Sequence, residues 1–200
     1  MNQNKSLKKH WEKELPAGYR EARVIDAKDN KKFVRGMGLA SLLVFGAFLW
    51  IGIVTQWQAM KTQEPSTRVL MCFCLSLIVY IALHELVHGA AYKLLTGQKL
   101  TFGFTLSVAF CGVPEIYVYR RASLIAVLAP FVVFTVLSVI LLIVIPDPWI
   151  RFYLFAFLGL HIGGCAGDLY NTWMYLTQFR DPRTLTRDTG PVQTFYVPEN

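Results

Sequence analysis

The chain has 200 residues, of which 54% are hydrophobic and only 16% charged, with a mean hydropathy of +0.39. That balance excludes an ordinary soluble globule, whose charged share runs near about 25%. The formal net charge of +7 points away from nucleic acid once it is located: ten of the twenty Lys and Arg precede residue 36, ahead of the first long apolar run. Basic residues placed there orient a chain in a bilayer and attract anionic headgroups, so the expected partner is the lipid bilayer and no nucleic acid. Four cysteines with neither a CxxC pair nor a secreted-domain framework are read as inert buried thiols.

Residues 1–36 are polar and basic, with Trp11, Tyr19 and Phe33 scattered through them. Their pattern lacks a cleavable signal, because the apolar stretch that starts near Met37 has no small-residue cleavage site. They read as a cytoplasmic N-terminal tail. Met37 to Trp57 is long enough to span a bilayer and ends in an interfacial tryptophan. A polar loop, Gln58 to Arg68, leads to a second span from Val69 to Leu95.

The second half of that span holds Leu83-His84-Glu85-Leu86-Val87-His88-Gly89, an HExxH motif. On a helix, positions i and i+4 lie one above the other, so His84 and His88 project from one face toward one point. Neutral imidazoles at that spacing suit two corners of a tetrahedral zinc site, and Glu85 beside them suits the general base for an attacking water. The bland alternative is a pair of histidines buried for packing. Ionisable residues inside a membrane are costly and functional by default, which favours the metal.

Thr101 to Phe110 alternates large apolar residues with small or polar ones, a period of two that predicts a strand. Gly112-Val113-Pro114-Glu115 reads as a turn and Ile116 to Tyr119 as the returning strand of a small β-hairpin. Such an edge next to a membrane either is structural or clamps an extended peptide, with Phe104, Thr105 and Leu106 as candidate substrate-binding residues. A third span runs from about Ala122 to Ile145 through Pro130, and Pro146-Asp147-Pro148 forms a turn.

The fourth span starts near Trp149 and continues toward Phe179, carrying a Gly159, Gly163, Gly167 ridge suited to close helix packing. Beside that ridge lie His161 and Asp168. The closing residues, 180–200, read as an extended C-terminal tail in which Val192 to Val197 is the strand-like piece.

The expected fold is therefore an α-helical membrane protein with about four transmembrane helices and a hairpin between helices two and three. Residues 1–36 and 180–200 form tails around a membrane-embedded domain at 37–179. With the N-terminus inside, seventeen Lys and Arg fall on inner segments and three on outer ones, which places both termini in the cytoplasm.

HExxH on a membrane helix, a following hairpin and a later helix carrying an aspartate resemble an intramembrane zinc metalloprotease of the site-two type. The likeness is closer to a family of small bacterial membrane proteins described as zincin peptidases, over roughly residues 70–198. The resemblance implies a multi-pass protein of the bacterial cell membrane that hydrolyses a peptide bond in a membrane protein or peptide substrate. It implies zinc held by His84 and His88, with Glu85 as the catalytic glutamate. Asp168 stands where such proteins have a late aspartate ligand, although site-two proteases place aspartate before glycine and this chain has Gly167-Asp168.

His161 is the rival third ligand. Measured from the outer ends of their spans, Leu86 in the motif lies about 26 Å deep, Asp168 about 27 Å and His161 about 17 Å at about 1.5 Å per residue. Depth favours Asp168 and leaves His161 to line the cavity or hold a second-shell hydrogen bond. The competing function is a non-catalytic, metal-binding scaffold or accessory subunit. An intact Glu85 favours the enzyme, since a structural zinc site has no use for a base.

Overall fold

The structure, a computed structural model, describes residues 10–26, 30–104 and 109–199. Among these, five helices alternate with short strands: α1 Lys31–Met60, α2 Thr67–Thr96, α3 Arg120–Val144, α4 Pro148–Gly164 and α5 Ala166–Thr177. The strands are β1 Trp11–Glu12, β2 Tyr19–Asp26, β3 Thr101–Phe104, β4 Ala109–Gly112, β5 Tyr117–Tyr119, β6 Leu185–Asp188 and β7 Val192–Pro198. The chain divides into two compact units, one of residues 1–34, 84–129 and 169–200, the other of 35–83 and 130–168.

The second unit is helical. α1, α2 and α3 each pass the length and hydropathy required of a membrane span, and α4 with α5 passes as a pair bent by 50°. Their apolar residues are not turned inward as an amphipathic helix would turn them. Leu43, Trp50, Leu75, Ile78, Val136 and Ile143 all stand exposed. Helices apolar on every side belong in lipid, so three or four such helices fit a multi-pass membrane protein.

α1 and α4 meet at glycine. A Cβ on Gly159 would come within 2.7 Å of Phe48 Cβ, and one on Gly163 within 2.8 Å of the Ser41 carbonyl oxygen, both on α1. Ser41 Oγ donates to the carbonyls of Met37 at 2.8 Å and Gly163 at 2.6 Å. The glycine ridge is thus a contact for α1 over two of its three members, because a Cβ on Gly167 would meet nothing within 4 Å. An apolar cavity of about 560 Å³ opens among α2, α3 and α4, lined by Phe73, Val79, Leu83, Phe134, Leu137 and Phe157 among others.

The first unit is built on a five-stranded antiparallel sheet in the order β1-β5-β6-β7-β2. The terminal segments, expected as extended tails, supply most of it: Tyr19 lies opposite Pro198 and Asp26 opposite Val192. Val192 to Val197 is legible as a strand, whereas Tyr19–Asp26, with four charged residues in eight, is not; their pairing buries Ile25 and Phe195 against Met174, Tyr175 and Phe179. Phe179 and Phe195 stack with centroids 4.5 Å apart.

The hairpin also differs from expectation. β3 pairs with β4, Thr101 opposite Gly112 and Phe104 opposite Ala109, so the run read as one strand holds both arms. Tyr117–Tyr119 joins the other sheet, where Val118 is fully buried beside Tyr92, Ala122 and Ala126. Period two marks strand character and says nothing about which strand is the partner. Cys111 and Cys165 are buried, as expected of inert thiols, but Cys72 and Cys74 are exposed on α2, where an apolar surrounding does not require burial within the protein.

Because a side chain at Gly163 would strike backbone rather than a movable side chain, Gly163→Val should destabilise by about 1–3 kcal/mol, whereas Gly167→Ala should stay within about 0.5 kcal/mol. Thermal unfolding of the two variants in detergent measures the difference.

Candidate metal centre

Four ring-bearing polar residues recur at intervals of four along α2: Tyr80, His84, His88 and Tyr92. On a helix that interval makes a single stripe, and the two histidines in it are buried with ring centroids 4.9 Å apart. His88 Nδ1 lies 2.9 Å from the carbonyl oxygen of Ala126 on α3. A carbonyl can only accept, so Nδ1 carries the proton and Nε2 keeps its lone pair. That is the tautomer in which a histidine serves as a metal ligand.

Glu85, one position on, is half-buried. Its carboxylate and that of Asp188 add to the burial that pushes the Cys111 thiol up to about 12, which puts Glu85 within electrostatic reach of β4. The hairpin is seated directly on the motif helix: a Cβ on Gly89 would come within 2.7 Å of the Phe102 ring and 3.2 Å of Leu100. Only glycine after His88 lets β3 approach that closely. Phe110, on the other arm, fills the space over Gly103 and Gly190, where any Cβ would overlap its ring.

Tyr92 fixes the end of the stripe. Its hydroxyl donates to Asp188 Oδ2 at 2.7 Å, and Asp188 also accepts from Gly190 N at 2.8 Å and Gln193 Nε2 at 3.2 Å. A buried carboxylate with several donors is well held, and it ties α2 to the β6–β7 turn.

In the second unit His161 is fully buried and its nitrogens are engaged. Nδ1 lies 2.8 Å from the Tyr80 hydroxyl, and Nε2 lies 3.2 Å from the Phe131 carbonyl and 3.1 Å from Thr135 Oγ1. Since the Phe131 oxygen must accept, Nε2 is the protonated nitrogen and Nδ1 takes the tyrosine proton. Cys165 Sγ stands 3.7 Å from Nδ1. Asp168 occupies the first turn of α5 and is half-buried.

The structure thus brings His84, Glu85 and His88 together on one helix and gives His161 a hydrogen-bonded place of its own. Phe104 is exposed at 77%, while Thr105 and Leu106 lie outside the described residues. Sequence reading missed Tyr80, Tyr92 and Asp188. The four-residue spacing was a usable signal for the tyrosines; Asp188 lay in a segment taken for tail and had none.

Tyr92→Phe removes one donor from a buried carboxylate, and hydrogen bonds to charged groups contribute about 1.5–3 kcal/mol. The variant should lose stability in that range, read from thermal or denaturant unfolding, with zinc content per folded chain unchanged.

A family model described as "Putative zincin peptidase" matches residues 77–181. No curated protein and no solved structure matches the chain. The match takes in just over half of the sequence, including the two histidines of the stripe, Glu85, His161 and Asp168, and the chain belongs to that zincin peptidase family.

Proposed function

We propose that this protein is a zinc-dependent endopeptidase that cleaves a membrane protein or peptide, within the bilayer or at its cytoplasmic face. The observation that carries the reading is the HExxH stripe with His88 held in the metal-binding tautomer by Ala126. His84 and His88 Nε2 would hold the ion with Asp168. When bound, zinc polarises a peptide carbonyl and brings the pKa of water near about 7. Glu85 accepts the proton of the attacking water and later passes it to the departing amine.

The candidates for the third ligand are Asp168 and His161. The sequence depth of the two favours Asp168, and the bonds His161 already makes count against that histidine. Recruiting His161 would break the bond to Tyr80 or those to Thr135 and Phe131, whereas Asp168 offers an anionic oxygen. For the substrate, the exposed Phe104 on β3 supports strand addition at the hairpin edge, which demands an extended rather than helical peptide.

In the variants Glu85→Gln, His88→Ala, Asp168→Ala and His161→Ala, bound zinc is measured by elemental analysis and turnover by cleavage of a fluorogenic membrane peptide. Glu85→Gln should keep about one zinc and lose turnover, because an amide cannot take the proton. His88→Ala and Asp168→Ala should lose zinc; His161→Ala should keep more of it than Asp168→Ala. Full cleavage by Glu85→Gln would refute the mechanism, bound zinc with no Glu85-dependent cleavage would favour a metal-binding scaffold, and a greater zinc loss in His161→Ala would exchange the third ligand.

The sheet also constrains the topology. β2, β5 and β7 belong to one hydrogen-bonded sheet, so they share one side of any membrane. Two spans separate β2 from β5, and an even number must separate β5 from β6. The bent pair α4–α5 is then one crossing and the total is four, with the excess of inner Lys and Arg favouring the cytoplasm for both termini. In a cysteine-free background, a membrane-impermeant thiol reagent on intact cells should label Gln63→Cys but not Asp181→Cys. Labelling of both from outside would refute four crossings.

A further inference from the structure

We infer that Pro130 is a positioning residue for the metal site: lacking an N–H, it leaves the Ala126 carbonyl to His88 and so selects that histidine's tautomer. The inference rests on the reading of His88 as a zinc ligand. α3 runs from Arg120 to Val144 with Pro130 inside it. In a regular helix the N–H of residue 130 bonds the carbonyl of residue 126; proline has no such donor, and its ring crowds that carbonyl away from the axis. Ala126 and Pro130 are both buried, so water is a poor substitute.

The hydroxyls nearest along the same helix are directed elsewhere. Ser123 Oγ donates to Val118 O at 3.4 Å, and Thr135 Oγ1 lies 3.1 Å from His161 Nε2. The donor that reaches Ala126 is His88 Nδ1 at 2.9 Å. A proline in a membrane helix is tolerated when a neighbouring element satisfies the freed carbonyl. Here the neighbour is the second histidine of the motif. A break in one helix thereby fixes ring orientation and proton position on another, leaving the lone pair on Nε2, and partners that orient a metal-ligating histidine are worth roughly 10–100-fold in metal affinity.

The test uses the full-length chain in detergent micelles with ¹⁵N-histidine labelling, the His88 signals being assigned by their loss in His88→Asn. In metal-free wild type, His88 should show the Nδ1–H tautomer. Pro130→Ala restores an N–H that competes for Ala126 O; it should give a tautomer mixture and raise the zinc Kd roughly tenfold. Replacing Pro130 with lactic acid puts an ester at that position, with neither the donor nor the ring, and should retain the wild-type tautomer and affinity.

The inference is overturned if Pro130→Ala keeps the Nδ1–H tautomer and a zinc Kd within about twofold of wild type, or if the ester variant loses the tautomer. Should Pro130→Ala fail to fold, the ester variant alone decides by the same tautomer criterion. If no variant binds zinc and Pro130→Ala still redistributes the tautomer, the zinc reading fails while the role of Pro130 stands.

Discussion

A polar group that cannot reach water has to find its partner inside the protein, and in this chain that requirement governs the helices at every point where they touch. A buried backbone oxygen without a donor costs about 1–3 kcal/mol, so each carbonyl left over from helix geometry draws in a specific side chain. Ser41 spans from its own turn to Gly163. Arg120, at the start of α3, donates to the carbonyls of Tyr175 in the last turn of α5 and of Phe179 just beyond it. His88 serves Ala126 in the same way. The proposed metal chemistry thus uses the same kind of bond that makes the fold tolerable.

The contrast between His88 and His161 follows from this accounting. Both are buried in apolar helices, and each gives a ring N–H to a backbone carbonyl, His88 to Ala126 and His161 to Phe131. In each, the carbonyl decides which nitrogen carries the proton: Nδ1 in His88 and Nε2 in His161. Burial and residue type are equal between them; the tautomer is not.

The helices were legible because span-length apolar runs need no tertiary context: the first three expected spans correspond to α1, α2 and α3, and the fourth falls on the α4–α5 pair, bent at Cys165. His84, Glu85 and His88 were legible because their spacing is a local property of one helix. What escaped was nonlocal. Tyr19–Asp26 looks like tail, the strand character of Val192–Val197 does not name its partner, and Asp188 gains its meaning only from Tyr92 across the fold. The hairpin was found as strand and mispaired, because alternation in Thr101–Phe110 cannot choose between Gly112 and Tyr117 as the place to return.

The pairing of β2 with β7 also sets an order of assembly. Tyr19 meets Pro198, and the Asp188 that steadies Tyr92 follows it by 96 residues. Contacts of such long sequence separation form late, while helical turns form as the chain emerges. The histidine-bearing turns of α2 therefore exist before the sheet that braces them, and that half of the molecule becomes rigid only when its last strand has been made. For the proposed hydrolase, the consequence is a site that would be braced only after synthesis, when unfolded segments of the same chain are no longer the nearest cleavable peptides.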